Sequence, residues 1–238
     1  MLRDLKLRTK IILLGVFATI MPMLIIGVVV TRQNVAMRDA STEESIKLAT
    51  TDLDHIATGV YKMVQTQHDV LTKALASYLN VTREITENLG GIAFVKETVS
   101  WNAVNQYTKD AVAIKLPKML VGDTWFGKIQ DFGTTVPVVD RVKSLAEDVT
   151  CTVFQRMNAS GDMLRAATNV INTDGTRAIG TFIPRNNPDG KANPVVSEVL
   201  KGRTFSGRAF VVDRWYLTTY EPIYNRDKHI VGMLYVGI

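Results

Sequence analysis

Residues 150–171 read TCTVFQRMNASGDMLRAATNVI. Two runs of strand-forming residues, Thr150–Met157 and Met163–Ile171, flank the turn-forming cluster Asn158-Ala159-Ser160-Gly161-Asp162. Short, β-branched-rich runs either side of a polar, Gly-containing turn predict an antiparallel hairpin. The pattern continues downstream. Asn172-Thr173-Asp174-Gly175 is a further turn, and Asn193-Pro194 opens a short helix that runs through Leu200 and stops at Gly202. Three more strands are expected at Thr204–Val212, Trp215–Tyr224 and Ile230–Ile238, joined by turns at Asp213-Arg214 and at residues 225–228. Five consecutive antiparallel strands with an interposed helix predict an α+β domain with a helix layer on one sheet face.

Upstream, Pro137–Glu147 has helical spacing, with Val138, Val142 and Leu145 on one face. LPKMLVGDTWFG, residues 116–127, reads as a short strand, a Gly-Asp turn and an aromatic pair; Thr108–Leu116 alternates weakly. Residues 93–106 read as a short helix. Asn88-Leu89-Gly90-Gly91 closes a much longer helix that begins near Arg32. Its apolar stripe is Ile46, Ala49, Leu53, Ile56, Val60, Met63, Leu71, Ala74 and Tyr78, in steps of three and four.

Ahead of that helix stands IILLGVFATIMPMLIIGVVV, Ile11–Val30, with no charged residue. Twenty apolar residues in a helix span a hydrocarbon core of roughly 30 Å. Pro22 is tolerated in such a segment. The run is longer than a signal-peptide core and no small-x-small cleavage site follows it, so it reads as a retained anchor. Arg3, Lys6, Arg8 and Lys10 precede it against Asp4 alone, which keeps the short N-terminus cytoplasmic and sends the remainder outside. The expected organisation is 1–10 cytoplasmic, 11–31 transmembrane, 32–90 a long periplasmic helix and 91–238 the α+β domain.

The chain has 238 residues and a formal charge of +5, of which the first ten residues carry +3. The remainder is too weakly basic for nucleic acid to be a partner. The one cysteine, Cys151, excludes an internal disulfide and reads as a packed small hydrophobe. His55, His68 and His229 are scattered, so no metal site and no cofactor is expected. No nucleophile elbow, zincin, C-x-x-C or phosphate-loop motif occurs, and no catalytic residue is assigned. Glu221 reads as a structural hydrogen-bond acceptor. What the sequence does carry is the composition of a binding pocket: arginines near aromatic residues, suited to holding a carboxylate between apolar walls. The candidate ligand-binding residues are Trp125, Arg156 and Arg177, followed by Arg165, Thr168 and Tyr220. Regular alternation puts Arg165 and Thr168 on opposite faces of their strand.

The phrases CTVFQRMNASGDMLRAATNVINTDGTRAIGTFIP, NPVVSEVLKGRTFSGRAFVVDRWYLTTYEPIYN and IVGMLYVGI occur in this order. Together with the upstream LPKMLVGDTWFG and VPVVDRVKSL they resemble the Cache sensor domains of bacterial methyl-accepting chemotaxis proteins, in the fused single-Cache form. The resemblance implies a PAS-like domain with a five- to six-stranded antiparallel sheet packed on a long N-terminal helix. It implies a periplasmic small-molecule ligand, often an organic acid in related domains, and an anchor in the inner membrane. A second membrane helix and a cytoplasmic signalling region that engages a kinase complex normally follow in that family. Similar domains also serve membrane histidine kinases and diguanylate cyclases, which is the alternative reading. The stripe on the membrane-proximal helix further predicts a parallel homodimer. Capture of a periplasmic binding protein is the alternative to direct ligand binding, and an anchored periplasmic enzyme is a third reading that lacks a visible nucleophile–base pair.

Overall fold

A computed structural model describes residues 6–238; Arg3 and Asp4, part of the basic flank read above, lie outside the described residues. The chain divides into two compact units, one ending at Thr66 and the other comprising Gln67–Ile238. Helix α1 runs from Leu7 to Asn88. Its N-terminal portion is long and apolar enough to cross a membrane, and none of that portion is buried. Within it, Thr19 and Thr31 turn their hydroxyls back to the carbonyls of Gly15 and Gly27, which satisfies them without water. The stripe residues of the first unit, Ile46, Leu53, Ile56, Val60 and Met63, are all exposed.

In the second unit the last turns of α1 bury Leu75, Leu79, Thr82 and Thr86. The buried face is therefore one position round from the expected Leu71, Ala74 and Tyr78, which are only half-buried. Thr82 and Thr86 place polar side chains on this buried face. Their hydroxyls bond to the carbonyls of Tyr78 and Thr82, so the methyl groups can face the core at little cost. The helix ends at Gly90-Gly91, against the Gly122 turn. A Cβ at Gly122 would stand 2.1 Å from the Leu89 carbonyl oxygen, and its φ of +56° also favours glycine.

The sheet has nine strands: β1 Ile92–Asn105, β2 Ala111–Val121, β3 Thr124–Trp125, β4 Thr150–Arg156, β5 Met163–Thr168, β6 Thr181–Ile183, β7 Phe205–Val211, β8 Arg214–Tyr224 and β9 Ile230–Gly237. Their order is β3-β2-β1-β6-β5-β4-β9-β8-β7. The expected five or six strands are thus extended by a β1–β2 hairpin and two short strands. One neighbouring pair, β1 and β6, is parallel, so the sheet is mixed rather than purely antiparallel. The short helix expected at residues 93–106 is strand β1 instead. Val99, Trp101 and Ala103 are buried at a period of two, and eleven register pairs to β2 outweigh a weak helical spacing.

Helices α2 (Val139–Leu145) and α3 (Pro194–Leu200) lie where the sequence indicated. Leu145, expected on the buried face of α2, is exposed. Asn193 caps α3, its side-chain oxygen accepting from the Val196 amide at 3.2 Å, with Pro194 in the first turn. The turn between β7 and β8 falls at Val212-Asp213, one residue earlier than expected.

The two sheet faces carry separate cores. On one side Leu75 and Leu79 of α1 and Val139 and Val142 of α2 pack with Cys151, Val153, Leu234 and Val236. On the other, Val195, Val196 and Val199 of α3 pack with Phe154, Met163, Met233, Tyr220 and Tyr235.

Candidate functional site

The α3-facing side is built in cross-strand rows. Phe205, Tyr220, Tyr235, Thr152 and Thr168 are register partners across β7, β8, β9, β4 and β5. The adjacent row runs Met233, Phe154, Arg165. Directly opposed residues on one face touch, so these rows form one aromatic cluster. Tyr220 and Tyr235 have ring centroids 4.8 Å apart, and Phe154 and Phe205 lie 6.2 Å and 6.1 Å from Tyr220.

Arg165 and Thr168 were expected on opposite faces. A bulge breaks the β4–β5 register between Val153 and Phe154: Val153 pairs with Ala167, while Phe154 pairs with Arg165. The extra residue, Ala166, shifts the alternation by one and brings Arg165 and Thr168 to the same face.

Arg165 is 0% exposed. Its guanidinium donates from Nη1 to the Thr181 hydroxyl at 2.7 Å and from Nη2 to Gln106 Oε1 at 3.0 Å, and lies 5.1 Å from the Phe154 ring centroid. Among the described residues no carboxylate pairs with it, and its Nε has no hydrogen-bond partner. The Tyr220 hydroxyl, also fully buried, has none either. These are the two unpartnered buried side-chain polar atoms among the described residues. Burial lowers the Arg165 pKa and raises those of Tyr220 and Tyr235. The Tyr235 hydroxyl, by contrast, meets Thr150 Oγ1 at 2.9 Å. A buried cation without a counter-ion is costly. The open Arg165 Nε and the open Tyr220 hydroxyl lie on the same, α3-facing side of the sheet.

The other candidates are occupied. Arg177 forks onto Asp140, at 2.8 and 2.9 Å, and also donates to the carbonyls of Asp131, Thr134 and Thr168. Arg156 donates to the carbonyls of Asn158, Ala159 and Ile230, tying down the β4–β5 turn; it also lies on the wall of an open groove of about 1000 Å³. Thr168 shares a 2.6 Å hydrogen bond with Thr152. Trp125 is 38% exposed on the far edge strand, under the Lys118 ammonium. The fold therefore brings Arg165, Thr168 and Tyr220 to one face and leaves Trp125, Arg156 and Arg177 apart from the unpartnered pair.

A match to a family model fits this architecture. Residues 38–238 match the Cache 3/Cache 2 fusion domain. The chain belongs to that family. Cache domains are extracellular, non-catalytic modules that sense small molecules for chemoreceptors and other signalling proteins. The candidate membrane span in α1 is consistent with a Cache sensor held at a membrane. No curated protein and no solved structure matches the chain.

Three further residues beside Arg165 and Tyr220 were not singled out from sequence: Gln106, Thr181 and Tyr235. Tyr235 is visible in the alternation of IVGMLYVGI, between inward Met233 and Gly237. Gln106 was masked by the helical reading of residues 93–106. Thr181 had no sequence signal. Glu221 is a structural acceptor, as expected; it accepts from Arg83 Nε of α1 at 2.7 Å.

Proposed function

We propose that this chain is the ligand-sensing region of a bacterial chemoreceptor, anchored in the inner membrane, whose Cache domain binds a small organic acid in the periplasm. The observation that carries the reading is the fully buried Arg165 with no acidic partner, its Nε and the Tyr220 hydroxyl both open. A carboxylate accepts from both groups and supplies the missing charge. The carboxylate must be the ligand's main polar group, because the other polar side chains in the cluster are already paired.

Occupancy is passed on through β8. Tyr220 faces the ligand side, and the next residue, Glu221, faces α1 and holds Arg83. A ligand that favours one position of β8 shifts α1 by its differential affinity for the two arrangements. The exposed stripe Ile46–Met63 supports a parallel homodimer. Cysteine crosslinking at Asp39 or Ile46 tests it; a chain monomeric at every position overturns it.

Thermal-shift and calorimetric titration with formate, acetate, propionate, pyruvate and succinate test the site. A monocarboxylate should raise the melting temperature by mass action, and Arg165→Met should abolish the rise. Gln106→Glu should place a carboxylate on Arg165 from within, raising the ligand-free melting temperature and weakening the acid. No shift with any acid overturns direct sensing in favour of a periplasmic binding protein partner. The coding sequence beyond Ile238 tests the output: a catalytic kinase or cyclase domain there replaces the chemoreceptor reading.

A further inference from the structure

We infer that the tip of the β1–β2 hairpin, residues 105–110, is the gate through which the Arg165 site exchanges its ligand; this rests on the anion site proposed above. Arg165 and Tyr220 are both completely buried, so nothing reaches them unless some part of the surround moves. The tip beyond Gln106 is the part free to move: Gln106 itself is fixed to β6, its backbone amide donating to the Phe182 carbonyl at 3.1 Å, whereas residues 107–110 lie past that attachment. Internally it is tightly held: the Asn105 side chain accepts from the amides of Tyr107 and Thr108, and backbone bonds join Asn105 to Lys109 and Asp110. Its attachment across the site, to the β7–β8 hairpin and α3, is made by side chains alone. Gln106 Nε2 donates to the Phe210 carbonyl at 3.2 Å. Lys109 Nζ donates to the Val212 carbonyl at 3.3 Å. Tyr107 stacks on Phe210 at 6.0 Å and accepts at its hydroxyl from Asn193 Nδ2 at 3.1 Å.

Two observations single this clasp out from ordinary loop packing. First, Lys109 and Val212, the two residues joined by the ammonium–carbonyl contact, both have positive φ, 65° and 59°. A β-branched residue there is a true outlier, and such strain persists only where the surroundings impose it. Second, Gln106 belongs to both clasp and site. Its amide nitrogen holds Phe210, and its amide oxygen holds Arg165 Nη2. Opening of the clasp therefore frees the Gln106 side chain to leave the arginine while its backbone stays on β6, and filling of the arginine by an anion fixes that side chain and with it the clasp. Rigid tip, weak clasp and shared glutamine together make a lid that closes on ligand.

The test uses the full chain in detergent with a cysteine placed beside the site, Val196→Cys on α3, and methyl methanethiosulfonate as the probe. Native Cys151, fully buried on the opposite face of the sheet, reports global loosening in the same sample. Lys109→Met combined with Tyr107→Ala should speed modification of the introduced thiol at least tenfold and leave Cys151 unchanged. Equal rates with and without the clasp overturn the gate, as does a rise matched by Cys151. Val199→Cys serves the same purpose if the first position disturbs folding. Sodium propionate, or another acid of the panel, should slow modification with the clasp intact. If no acid protects while the clasp variants still accelerate the reaction, the anion site fails and the gate stands.

Discussion

The two faces of the sheet treat buried arginine in opposite ways. Toward α1 and α2, Arg177 is 2% exposed and fully served: a fork onto Asp140 and three backbone carbonyls. Asn169 beside it is equally complete, accepting from the Cys151 amide and donating to Val139 and Val149. Toward α3, Arg165 is just as deep, yet has two neutral partners, no counter-charge and an open Nε. Buried charge used as structure is paired by the chain itself. On the proposed reading, the buried charge left unpaired is the one the ligand's carboxylate completes.

The largest break in that comparison comes from removing each arginine. Arg177→Met strands the Asp140 carboxylate and three carbonyls, and should cost about 3–5 kcal/mol in chemical denaturation. Arg165→Met removes an uncompensated cation and replaces it with an apolar side chain of similar length. Its ligand-free stability should stay within about 1 kcal/mol of wild type or rise. Equal losses at the two positions would erase the distinction between the faces.

This contrast was only half legible in the sequence. The hairpin at 150–171, the capped helix at Asn193-Pro194 and the closing strands could be read because turn residues and β-branched runs are local signals. The β1 strand was not, since residues 93–106 carry a weak helical spacing that only the ladder to β2 and the contact with the distant β6 override. The site suffered most from one local irregularity. The bulge at Ala166 cannot be seen in MLRAAT, yet it decides that Arg165 joins the tyrosines. Arg177 looked the better ligand contact because its partner Asp140 lies 37 residues away on α2.

A subtler change sharpens the comparison at the open site. Tyr220→Phe deletes a hydroxyl that bonds to nothing in the ligand-free chain. Melting of the ligand-free variant should match wild type or gain up to about 1 kcal/mol, because a desolvated donor has been removed. Affinity for the acid should fall roughly ten- to hundredfold, the loss expected for one hydrogen bond to a charged group. A drop in ligand-free stability of several kcal/mol would instead make the hydroxyl structural, and the α3 side would then resemble the α1 side.

The smallest effect belongs to the closed side. Cys151 is fully buried under α1, and burial pushes its thiol up to about 12 from an ordinary value of 9.0. A folded thiol held neutral while the unfolded one ionises contributes stability that is complete below pH 9 and lost as pH rises toward 12. Between pH 9 and 10 the loss should be about 1 kcal/mol, read as a falling denaturation midpoint at constant slope. Cys151→Ala should flatten that fall by the same amount. The tyrosines of the α3 side shift in the same direction, but their ordinary value of 10.0 delays their contribution to higher pH. An unchanged slope in Cys151→Ala would mean that water or a counter-charge reaches the α1 side, and that its completeness is not what separates it from the Arg165 site.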